Sequence, residues 1–91
     1  MAKILEFTER FKENYKALPI KLQELFDKKL ALFVNNPFHP SLNTHKYKTS
    51  EKSSIYEAYI NVSYRFTFEM TKEKYIFRNV GPHKIIDRGT V

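Results

Sequence analysis

The chain has 91 residues, 42 % of them hydrophobic and 15 % aromatic, with a net charge of +6. That length sets one small domain over residues 1–91, whose core must use most of its large apolar side chains. The absence of cysteine excludes disulfides, a thiolate nucleophile and cysteine-based zinc sites. The three histidines stand well apart in sequence, which gives no metal-ligand spacing and implies no metal or other cofactor. No apolar run reaches membrane-spanning length and no signal peptide is visible, so a soluble, cytoplasmic protein is expected, with no membrane partner. The charge is uneven, +2 over residues 1–42 and +4 over 43–91. A basic small domain of this kind suits an acidic partner, either nucleic acid or an acidic protein.

In chain order, Lys3 to Phe7 is a short strand with Ile4, Leu5 and Phe7 apolar. Thr8 stands where a helix N-cap belongs, and Glu9 follows in the first turn, where a carboxylate meets the positive end of the helix dipole. Phe11, Tyr15 and Leu18 recur at helical spacing, and Pro19 ends that helix and opens the next. Leu22, Leu25, Phe26, Leu30 and Phe33 make a second, longer stripe, closed by Asn35-Asn36-Pro37. Phe38 to Ser54, which follows Pro37 and contains Pro40, has no lasting period and reads as a long connection of the sort that carries function. Three strands follow. Tyr64, Phe66, Phe68 and Met70 alternate with Arg65, Thr67 and Glu69, so one face is apolar and the other polar. Tyr56, Ala58 and Ile60 precede them, and Tyr75 to Val80 runs up to Gly81-Pro82. The expected fold is α+β: an N-terminal strand, a helical hairpin, then a three-stranded antiparallel meander with the helices on its apolar face. Its polar face would present Glu57, Tyr59 and Arg65.

Several short motifs fall in one order along this plan: Asn36-Pro37-Phe38-His39-Pro40-Ser41-Leu42 with His45-Lys46, Tyr56-Glu57-Ala58, Tyr64-Arg65 and Val80-Gly81-Pro82-His83. In this they resemble the RelE/ParE superfamily of bacterial toxins, over nearly the whole chain from Ile4 to about Asp87. The resemblance implies a microbial-ribonuclease-like sheet and a cytoplasmic toxin held inactive by a cognate acidic antitoxin. Its endoribonuclease branch implies cleavage of mRNA on the ribosome; its gyrase-poisoning branch generally lacks the histidines. A relic that only binds its antitoxin is the third alternative.

Metal-free RNA cleavage needs a base to take the proton of the 2′-hydroxyl, cations to stabilise the phosphoryl transition state, and an acid for the leaving 5′-oxygen. On the resemblance, Arg65 contacts the phosphate and His83 is the general acid. His45 is the candidate base, with Glu57 either a competing base or a cross-strand partner of Arg65. Lys46 and Lys48 would hold RNA phosphates as point charges, and Tyr59 would stack on a base. His39 is expected to be structural, and Arg78 to take an edge or salt-bridge role. Arg65 and His83 are expected to face solvent or substrate and so to matter little for stability. Two departures stand out: the best-known members carry two lysines where this chain has Glu57 and Tyr59, and Asp87 stands where a tyrosine or phenylalanine is common.

Overall fold

The computed structural model of the chain describes residues 3–49 and 54–84. It opens with strand β1 (Ile4–Phe7), followed by helices α1 (Glu9–Ala17) and α2 (Ile20–Asn35). Thr8 is the N-cap of α1, its hydroxyl oxygen accepting from the Phe11 N–H. The same hydroxyl donates to the Arg78 carbonyl at 2.9 Å, so one side chain both starts the helix and ties it to the sheet. Pro19 sits at the N-cap of α2, and α2 ends with Asn36 as its C-cap, where the two asparagines and Pro37 predict a stop.

Four more strands follow: β2 (His45–Thr49), β3 (Ser54–Tyr59), β4 (Tyr64–Met70) and β5 (Lys74–Pro82). They form a single five-stranded sheet in the order β1-β5-β4-β3-β2. Strand β1 runs parallel to β5, and the other pairs are antiparallel. The α+β plan therefore holds, with one strand more than the sequence suggests. The segment expected to be an irregular connection contains a 3₁₀ turn at Pro40–Leu42 and then β2, paired along β3. Strand β2 escapes a pattern reading because its register slips between Lys46 and Lys48, which breaks the alternation of faces. Strand β5 likewise continues through Gly81 to Pro82 instead of stopping before them. Expectations for Ile85 to Val91, Asp87 included, lie outside the described residues.

The core is largely aromatic. Phe11 and Phe33 of the helices meet Phe77 at ring-centroid distances of 5.8 and 5.1 Å, and Phe26 meets Phe66 edge-on at 5.2 Å. Phe33 packs edge-on against Phe68 at 4.7 Å. These rings and Leu42, Ile60 and Val80 are buried, and burying one such side chain contributes about 1.5–3 kcal/mol. The polar side of the meander is not simply open, however. Glu57 and Thr67 are as buried as the phenylalanines, which sets the terms for the site below.

Candidate active site

Residues directly opposite one another in a sheet share a face, so the register fixes which side chains meet. His45 pairs with Glu57, and Glu57 with Thr67. In the adjacent row on the same face, Tyr59 pairs with Arg65 and Arg65 with Gly81. Two rows across four strands thus gather His45, Glu57, Tyr59 and Arg65. Lys46 pairs with Tyr56 and therefore lies on the opposite face, with its ammonium 5.9 Å from the Tyr56 ring centre. Lys46 therefore does not join the His45–Glu57–Arg65 group. Lys48 is placed in β2 opposite Ile55, and its side chain lies outside the described residues.

Glu57 is at the centre of the group. One carboxylate oxygen, Oε1, accepts from Arg65 Nη1 at 3.2 Å and lies 3.0 Å from His45 Nε2. Its other oxygen, Oε2, is buried with no hydrogen-bond partner, as is the Thr67 hydroxyl across the strand pair. Arg65 is held at three points: Nη1 on Glu57, Nη2 on the Val62 carbonyl at 3.2 Å, and the guanidinium carbon 3.8 Å from the centre of the Tyr59 ring. Tyr59 is thereby the stacking platform of Arg65, a cation–π contact; the base-stacking role expected for it competes with that use of its face. The Arg65 side chain is only 13 % exposed, so it is far less open to solvent than a strand-surface arginine.

The His45 side chain is half exposed, and its Nδ1 lies 3.0 Å from the Asn43 carbonyl oxygen. Its two ring nitrogens thus lie beside two oxygens, Glu57 Oε1 and the Asn43 carbonyl. Asn43 itself adopts the left-handed region, φ 48°, where asparagine is among the tolerated residues. That turn sends the chain from the 3₁₀ segment into β2 and so aims His45 at Glu57. His39 caps the 3₁₀ segment, its Nδ1 accepting from the Ser41 N–H at 3.1 Å.

His83 lies two residues beyond Gly81, at the end of β5. Its backbone N–H donates to the Ser63 carbonyl at 2.8 Å, locking the end of β5 to the β3–β4 turn. Within that turn the Asn61 side-chain oxygen accepts from the Ser63 and Tyr64 N–H groups, both at 2.8 Å. A concavity of about 420 Å³ opens here, with Val62, Arg65, Pro82, His83 and Lys84 among its lining. Arg65 thus belongs both to the Glu57 group and to the hollow that His83 lines. Gly81 opposite Arg65 places no side chain beside the guanidinium on β5, leaving room for a ligand to approach. A second hollow of about 370 Å³, lined by Phe7, Phe11, Tyr15, Phe26 and Leu30 among others, carries none of these groups. Arg78 is paired with Glu69 at 2.7 Å. Among the described residues no three histidine or acidic side chains are grouped to hold a metal.

Chemically, the arrangement offers a pre-set guanidinium, a histidine in the same concavity, and a second histidine joined to the guanidinium through a buried carboxylate. Sequence reading missed three contributions: β2 as a strand, Tyr59 as the platform under Arg65, and Gly81 as the gap beside it. Alternation across β3 and β4 was signal enough to put Tyr59 and Arg65 on one face, but their pairing depends on the turn.

No family model matches the chain, and no curated protein matches it. Solved structures do. The RelE of a RelE–RelB complex from Pyrococcus horikoshii superposes with a TM-score of 0.76 at 13 % identity, over 90 % of this chain and 96 % of that one. The chain has the fold of RelE-like toxins. YafQ from Escherichia coli superposes at TM-score 0.75 and 16 % identity, over 92 % of this chain and 97 % of that one. The corresponding values for a RelB–RelE antitoxin–toxin complex from Methanococcus jannaschii are 0.71, 20 %, 92 % and 96 %. In this RelE-like fold the rows described above occupy the sheet face whose polar character the sequence predicts. Among the described residues no helix is long and apolar enough to cross a membrane.

Proposed function

We propose that this protein is the toxin of a type II toxin–antitoxin pair, and that it cleaves mRNA on the ribosome by attack of the substrate 2′-hydroxyl. The observation that carries the reading is the placing of Arg65 and His83 in one concavity, on a fold shared with RelE and YafQ. Arg65, fixed by Tyr59, Glu57 and the Val62 carbonyl, would meet the phosphate, and guanidinium donors suit a phosphate in geometry and charge. His83 and His45 would divide the two proton transfers. One takes the proton of the 2′-hydroxyl as its oxygen attacks phosphorus, and the other protonates the departing 5′-oxygen. The products are a 2′,3′-cyclic phosphate and a 5′-hydroxyl. His83, which lines the same concavity as Arg65, is assigned the proton donation to the leaving oxygen, and His45 the role of base. With so few catalytic groups the ribosome would supply much of the substrate orientation, and working there places the protein in the cytoplasm.

The partner follows from charge. A net charge of +6 suits an acidic antitoxin, and a similar structure is that of the E. coli DinJ–YafQ toxin–antitoxin complex. The test is induction in a host that lacks the cognate antitoxin, with the 5′ ends of cellular mRNA mapped. Arrest of translation with cuts inside reading frames, and weak cutting of naked RNA, is expected. Growth arrest with intact mRNA and broken DNA would refute the nuclease reading and favour a gyrase-directed one. Growth without arrest would leave only an antitoxin-binding relic.

A further inference from the structure

The geometry points to Glu57 as the positioning residue of this site: its buried carboxylate fixes the Arg65 guanidinium and the His45 ring, and it takes no proton from the substrate. A general base must bring a free lone pair within about 2.6–3.2 Å of the hydroxyl it deprotonates. Glu57 has none to offer. Its side chain is 3 % exposed, Oε1 is shared by two donors, and Oε2 is enclosed in protein. A substrate could reach either oxygen only by dismantling the row that runs from His45 across Glu57 to Thr67.

What the carboxylate does is visible in its partners. Arginine loses much side-chain entropy when fixed, and a site pre-set before substrate arrives avoids that loss on binding. A carboxylate between the guanidinium and the imidazole, in contact with both, sets their spacing. A buried carboxylate is costly in itself, and its retention is rational where it organises a site.

The kinetic half of this inference rests on the nuclease reading, and the structural half does not, so the test has two arms. In the first, the Nη resonances of Arg65 are followed by nitrogen-15 NMR in the parent, Glu57→Gln and Glu57→Ala proteins. Slow guanidinium rotation is expected in the parent, partial averaging in Glu57→Gln, and free averaging in Glu57→Ala. In the second, ribosome-bound mRNA cleavage is measured against pH. Glu57→Gln, which keeps the shape and an acceptor oxygen, should lose about 3- to 30-fold in kcat and keep both limbs of the pH profile. Removing a true base should instead cost about 100- to 10,000-fold and erase the acidic limb. A Glu57→Gln protein with unchanged Arg65 resonances and that larger loss would overturn the positioning role. Freely averaged Arg65 resonances in the parent would overturn it too. If the parent does not cleave mRNA, the nuclease reading fails and the NMR arm alone decides the clamp.

Discussion

Replacing Arg65 by alanine should unfold the protein more readily as well as impair it, and the two effects can be separated. The Arg65 side chain is 13 % exposed and Glu57's is 3 % exposed, with 3.2 Å between Nη1 and Oε1. Breaking one side of a buried pair leaves the remaining charge uncompensated, which costs about 3–5 kcal/mol. His45 still contacts Glu57 Oε1 at 3.0 Å, so the low end, about 3 kcal/mol, is the expected loss for Arg65→Ala. For a domain of this size that lowers Tm by roughly 12–24 °C. Glu57→Gln in the Arg65→Ala background removes the stranded charge and should recover about half of the loss or more. The assay is thermal and urea melting of the parent, both single variants and the double variant. If Arg65→Ala melts within about 3 °C of the parent, the pair is worth no more than an exposed ion pair and the burial argument fails. Comparing cleavage by the double variant with cleavage by Glu57→Gln alone then isolates what Arg65 does, with part of the fold defect relieved.

Three further outcomes are expected. Thr8→Ala should cost about 1–2 kcal/mol by urea melting, because the hydroxyl caps α1 and holds the Arg78 carbonyl; a loss within error would mean that neither contact matters. Burial, helped by a hydrogen bond to Asp27 and the Asp27 charge, pushes the Tyr15 phenol up to about 12. A raised folded-state pKa gives stability that is complete below the unfolded value of about 10 and is lost as pH climbs toward 12, so Tm should fall across that window, and less so in Tyr15→Phe. His83→Ala should lower ribosome-bound cleavage by about 100- to 10,000-fold with a small change in Tm, as the ring is part-exposed at the end of β5; full cleavage would remove His83 from the site.

Of the candidate site, the sequence placed Glu57, Tyr59 and Arg65 on one polar face, and alternation was enough for that. It did not say that this face is buried at Glu57 and Thr67. Burial there depends on what covers the face, and β2 does part of that work through His45. The bulge near Lys46 hid β2 from any period-2 search. With β2 unassigned, Lys46 could not be put on the far side of the sheet from His45, although the two are adjacent in sequence and adjacent strand residues point opposite ways.

The sequence by itself determined the elements that local chemistry controls. The cap at Thr8, the helical stripes through Phe11 and Phe33, the stop at Asn36-Pro37 and the alternation through Tyr64 to Met70 all lie within a few residues of their cause. The sheet order, with β1 beside β5, and the meeting of His45, Glu57 and Arg65 were decided only by tertiary structure. Glu57 lies 12 positions from His45 and 8 from Arg65, and nothing local distinguishes a carboxylate in solvent from one shared by an arginine and a histidine. The difference is made by strand register. A slip of one residue would turn Glu57 to the opposite face, and the apolar set packed on the helices holds the register where it is.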